Sequence, residues 1–146
     1  MDLNTAAAVI SYTSKIEQES ARFYEKWGEV HEILREAFSS FVKENKKSEK
    51  NIKRAYYNVV SDALETGFSF KGLKADVNVP SLDNDASPHD VLRASIEMET
   101  GIQEFYSKAA ELSKSLLADV ARVMGRVATS RDFRVARLRS MLEEME

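Results

Sequence analysis

Two glutamates and two arginines stand where the apolar rhythm of this chain calls for core. In the stretch SRDFRVARL, residues 130–138, Arg131 and Arg134 interrupt a series that runs through Val120, Met124, Val127 and Leu138. Glu17 interrupts a second series, Ile10, Thr13, Ser20, Tyr24 and Trp27, and Glu99 a third, Leu92, Ser95, Ile102, Tyr106 and Ala109. A fourth series, Leu34, Phe38, Phe41 and Ile52, is broken by Asn45 and Ser48. Steps of three and four keep each series on one helix face, so six polar side chains converge on one interior level. A bundle interior is where cofactor and metal sites are built from facing helices. Buried charges without a cofactor must pair with each other.

The elements that position these residues are helices. With 146 residues the chain is the size of a single domain with one core, spanning 1–146. Its two prolines, with Gly67 and Gly72, lie between residues 67 and 88, and long stretches free of breakers favour an all-α fold. Helix 1 is expected to start after Asn4 or Thr5 and reach about Trp27. Helix 2 runs from near His31 to about Thr66, where Gly67 stops it. Ser87 as N-cap, Pro88 at the first position and Asp90 as capping partner start helix 3, and helix 4 runs from about Leu117 to the end. Short connections imply antiparallel neighbours within each half, and the segment 67–87 is a long crossover between halves.

The series of helices 1 and 3 lie 82 residues apart, and Ile10/Leu92, Thr13/Ser95, Glu17/Glu99 and Tyr24/Tyr106 correspond. Those of helices 2 and 4 lie 86 residues apart, so Asn45 corresponds to Arg131 and Ser48 to Arg134. The chain reads as a duplicated helical hairpin with heptad-like seams, suited to a four-helix bundle.

Composition narrows the chemistry. There is no cysteine, which excludes disulfides, thiol catalysis and thiolate metal sites. A net charge of −3 gives no general reason to expect nucleic acid or an acidic membrane as partner. No stretch approaches a membrane span, and MDLNTAAAVISY lacks the basic and apolar regions of a signal peptide, so the expected location is the cytoplasm.

The stretches IEQESARFY at 16–24 and IEMETGIQEFY at 96–106, each with a glutamate six residues before a Phe-Tyr pair, resemble the ferritin-like superfamily, rubrerythrin-type branch. FSSFVKENKKSEKNI at 38–52 and MGRVATSRDFRVARL at 124–138 are similar to that family's second and fourth helices. The resemblance implies a ferritin-like antiparallel four-helix bundle, a homodimer, and two iron or manganese ions used on oxygen or peroxide. It implies Glu17 and Glu99 as metal ligands from the odd helices and a Glu-x-x-His pair from each even helix. Here those pairs read Asn45-x-x-Ser48 and Arg131-x-x-Arg134. Arginine has no free lone pair for a metal, so no metal is expected. Arg131 and Arg134 are instead expected to pair with Glu17 and Glu99, with Asn45 and Ser48 taking up leftover donors and acceptors. Tyr24 and Tyr106 are core residues whose hydroxyls reach the polar layer. The function this implies is that of a structural, interaction or small-ligand-binding protein, with an active diiron oxidoreductase as the alternative.

Other arrangements of the same residues lead elsewhere. A quarter-turn rotation of helix 4 would bury Phe133 and Val135 and leave both arginines in solvent. Ile16, Phe23, Ile96 and Phe105 could likewise carry the core in place of the two glutamates. A rearranged carboxylate site could draw on Glu44, Glu49 or Asp132. His31 and His89 sit near helix starts, outside any i, i+3 ligand pair, and read as surface or capping residues. Lys43, Lys46, Lys47, Lys50, Lys53 and Arg54, with Arg122, Arg126, Arg137 and Arg139, read as solvated helix faces. A nucleic-acid-binding module using the basic face of helix 2 is the further alternative, although aromatic interleaving and a reading motif are absent.

Overall fold

A side-chain cap on Thr5, whose hydroxyl accepts from Ala8 N at 3.0 Å, starts α1 (Ala6–Val30) and settles the choice between Asn4 and Thr5. In the computed structural model of the protein, residues 2–60, 72–114 and 118–145 are described. α2 follows α1 almost without a break, covering Glu32–Val60. The expected continuation to Thr66 and the stop at Gly67 lie outside the described residues. α3 (Pro88–Ser113) opens on the predicted capping box: Asp90 N donates to Ser87 Oγ, and Ser87 N donates to the Asp90 carboxylate. α4 covers Ala118–Met145, and its expected start near Leu117 also falls outside the described residues.

The fold is all-α with four helices, and no strand occurs among the described residues. The most extensive helix contacts are α1 with α2 and α3 with α4, and α2 also packs on α4. α1 meets α2 in a consistent order: Arg35 donates to Gly28 O, Asn45 to Glu17 O and Ser20, while Ser14 and Gln18 donate to Glu49. The two helices approach closely at Gly28, where an added Cβ would just touch Phe38 Cβ at 3.4 Å.

The seam residues line the interior. Every residue of the four series is buried except Ser48, and Trp27, Phe38, Phe41, Leu34, Ile52, Leu92 and Ile102 are among the largest fully enclosed. Ile16, Phe23 and Phe105 are buried as well, which widens the apolar face of α1 and α3 beyond one seam. Thr13 and Ser95, the matched small polar residues, satisfy their hydroxyls on their own helices, at Ile10 O and Val91 O.

The crossover is tied down where it is described. Gly72 adopts a left-handed φ of 78°, and Leu73 then enters the core. Leu3 N donates to Leu73 O at 2.9 Å, next to an isolated antiparallel bridge between Asp2 and Lys74. Val77 N donates to the Tyr12 hydroxyl, and the His31 ring, stacked on Trp27, bonds Ala86 O at 2.8 Å. His31 thus holds the end of the crossover against the α1–α2 turn. No described helix is long and apolar enough to cross a membrane.

Candidate functional site: a buried arginine–glutamate network

Arg131 lies at the centre of the polar level, with only 1% of its side chain exposed. Its guanidinium uses both ends. Nη1 donates to Glu99 Oε1 and Oε2 at 2.7 and 2.9 Å, and Nη2 donates to Glu17 Oε1 and Oε2 at 2.7 and 2.8 Å. One arginine from α4 therefore bridges the two odd-helix carboxylates. Nη2 also reaches Asn45 Oδ1 at 3.0 Å. Arg134, one turn further along α4, places Nη1 2.8 Å from Asn45 Oδ1 and 3.1 Å from Glu99 Oε2. Planar guanidinium groups, with several fixed donors, suit such multiple pairing.

Two tyrosines close the network from opposite sides. Tyr24 of α1 donates its hydroxyl to Glu99 of α3, and Tyr106 of α3 donates to Glu17 of α1 at 2.7 Å. Each tyrosine lies seven residues, two helical turns, beyond the glutamate of its own helix and serves the glutamate of the other. α1 and α3 thus meet mainly through long side chains, with the Tyr12–Phe105 ring contact beside them. Asn45 turns its amide group the other way, donating to Glu17 O at 3.1 Å and to Ser20 Oγ at 2.8 Å. Both of its ends are occupied.

The electrostatics are unequal. Burial pushes the Glu99 carboxyl up, but Arg131 and Arg134, helped by bonds from Tyr24 and Arg131, outweigh it and hold Glu99 below the usual carboxylate range. Glu17 meets the same burial with one guanidinium in direct contact, and burial wins: its carboxyl is raised. Burial, reinforced by the neighbouring carboxylates, pushes both tyrosine hydroxyls well above their ordinary value, so they remain donors. Burial opposes the charge on Arg131, yet the two glutamates overcome it and hold the proton more firmly than usual.

The structure brings Glu17, Asn45, Glu99, Arg131 and Arg134 together, with Tyr24 and Tyr106 on the carboxylates. Ser48 departs from the expectation. It is half-buried, lines the surface groove between α2 and α4, and makes no hydrogen bond to the network. The hydroxyl that Asn45 meets is instead that of Ser20. Ser20 was legible only as one more step of the α1 seam, three residues past Glu17. Of the alternative carboxylates, Glu44 lies 3.5 Å from Arg134 Nη2, Asp132 is exposed, and Glu49 binds Ser14, Gln18 and Lys53 at the α1–α2 edge. Phe133 is 73% exposed, so the quarter-turn rotation of α4 does not occur.

This arrangement can hold four helices in register, but it offers little to a substrate. Each carboxylate oxygen of Glu17 and Glu99 already accepts from at least one N–H or O–H donor, and both side chains are sealed from solvent. The same residues do not fit a pair of iron or manganese ions. Arg131 occupies the space between the two carboxylates, and among the described residues no three His, Cys, Asp or Glu side chains converge as a metal site. The exposed lysines and arginines of α2 and the rim of α4 lie outside the network. Compared with known protein families, with characterised proteins and with solved structures, the chain finds no match.

Proposed function

We propose that this protein is a ferritin-like, rubrerythrin-type antiparallel four-helix bundle in which an arginine–glutamate network stands in the place of a diiron centre. On this reading it works as a structural, interaction or small-ligand-binding protein and not as an oxidoreductase. The observation that carries the proposal is the Arg131 guanidinium, 2.7 Å from both Glu17 and Glu99. Two carboxylates facing two guanidiniums sum to no net charge, as four carboxylates facing two divalent cations would. The reciprocal Tyr24–Glu99 and Tyr106–Glu17 bonds support a bundle built from two related hairpins. The family resemblance adds a homodimer and a cytoplasmic setting to the proposal.

Metal analysis tests the reading directly. Protein produced with abundant iron and manganese should carry far less than one metal per chain and show no oxo-bridged absorption. A stoichiometry near two ions per chain, the loading of a diiron bundle, would overturn it.

A further inference from the structure

Arg134 is paired on one side only. Nη1 is well bound, but Nη2 has just two long contacts, 3.5 Å to Phe41 O and 3.5 Å to Glu44 Oε1. Nε has none: among the described residues it is the one buried side-chain nitrogen or oxygen without a partner. Nε and Nη2 form the side-on fork of a guanidinium, the edge that grips a carboxylate or phosphate with two parallel bonds. A buried charged fork left half-used is unfavourable unless something completes it.

The surroundings suit an anion. Arg134 lines a groove between α2 and α4 with a volume of about 390 Å³, shared with Phe41, Glu44, Arg126, Phe133 and Arg137. Arg126 and Arg137 are exposed, and the Arg137 guanidinium sits over the Phe41 ring at 5.5 Å. Phe133 is largely exposed and offers an aromatic face on the same groove. Three cations face one carboxylate here, and that carboxylate, Glu44, is 44% exposed and only loosely held. A volume of this size accommodates a small metabolite-sized molecule.

We propose that this groove binds a small organic anion, a carboxylate or phosphate carrying an apolar body. Its oxyanion lies on the Nε–Nη2 fork of Arg134, displaces Glu44 and draws in Arg126 and Arg137. Its apolar body lies on the exposed face of Phe133, while the buried Phe41 ring backs the Arg134 guanidinium at 4.6 Å. The proposal rests on the metal-free reading in one respect: Asn45 and Glu99 must hold Arg134 in its present orientation.

Isothermal titration of the full chain with benzoate, phenyl phosphate and inorganic phosphate tests it. At least one aromatic anion should bind saturably, and more tightly than inorganic phosphate; which of the two does so identifies the head group. The exposed double variant Arg126→Ala/Arg137→Ala should weaken binding about tenfold or more, the loss expected for charge-assisted bonds. Glu44→Gln, which removes the competing carboxylate, should tighten it several-fold. The proposal is overturned if neither aromatic anion binds wild type or Glu44→Gln, or if inorganic phosphate binds as tightly as the better of the two aromatic anions. Unchanged affinity in the double variant, or unchanged or weaker affinity in Glu44→Gln, would overturn it as well. Metal content measured on the same preparation separates the two failures. Metal-loaded protein sinks the metal-free reading, and metal-free protein that binds no aromatic anion sinks this proposal alone.

Discussion

The odd-numbered helices bring nearly the same residues to the interior, and the even-numbered helices do not. α1 and α3 each supply one glutamate and, two turns on, one tyrosine, joined crosswise. α4 supplies both cations of the network, whereas the equivalent positions of α2 hold Asn45, which joins it, and Ser48, which does not. Two carboxylates that are equivalent in sequence thereby become unequal in chemistry. Glu99 faces both guanidiniums at hydrogen-bond distance, and Glu17 faces one. Matched odd-numbered helices therefore do not give a symmetric site: the pairing of each carboxylate is set by the even-numbered helices, whose residues differ.

The comparison is tested most severely at the matched pair Arg131 and Asn45. Arg131→Met keeps the length of the side chain but strands two buried carboxylates, and should cost about 3–5 kcal/mol, much of a typical domain's stability. Asn45→Ala removes no charge, although its Oδ1 accepts from both guanidiniums, and should cost about 1–3 kcal/mol. Urea denaturation of both variants checks the order; equal losses would mean that α4 does not dominate the network.

Next in size is the contrast between the two glutamates. Glu99→Gln should destabilise by about 3–5 kcal/mol near neutral pH, and Glu17→Gln by less, because Glu17 is the carboxyl that burial already disfavours as an anion. The pH dependence separates them further. Glu99, depressed in the folded state, contributes stability present above the ordinary carboxylate value and lost as pH falls through its lowered one. Glu17, raised on folding, contributes most at low pH and loses that contribution as pH rises through its raised value. The stability gap between wild type and Glu99→Gln should therefore narrow on acidification, and the gap for Glu17→Gln should narrow as pH rises. Denaturation curves collected from about pH 3 to 7, across the carboxylate range, will show whether the slopes oppose.

Smaller effects sharpen the same picture. Tyr24→Phe and Tyr106→Phe each remove one hydrogen bond to a buried carboxylate, about 1.5–3 kcal/mol apiece. If the crosswise bonds are equivalent, the two losses will match. Ser48→Ala should change stability by less than about 0.5 kcal/mol, as surface substitutions do. A larger loss would return Ser48 to the polar layer and restore the symmetry that its position lacks.

Much of this was legible before any coordinates. The spacing of Glu17, Glu99, Arg131 and Arg134 marked one interior level, and Ser87-Pro88 with Asp90 marked the start of α3. Ser48 was misplaced for a geometric reason. Three residues turn about 300° around a helix, so Ser48 sits to one flank of Asn45, at the α2–α4 groove, while Ile52 returns to the interior. Ser20 was not picked out because a small hydroxyl on a seam also reads as packing, and only the nearby Asn45 amide gives it a second role.

By itself the sequence determined four helical faces, their caps and the residue types gathered at the polar level. Periodicity and local capping chemistry act within one segment and need no neighbour. The tertiary structure decided which carboxylate meets which guanidinium, that the tyrosines cross between α1 and α3, and that Arg134 Nε is left without a partner. Those outcomes depend on distances between separate helices, and a hydrogen bond that exists at 2.8 Å has largely gone one ångström further out.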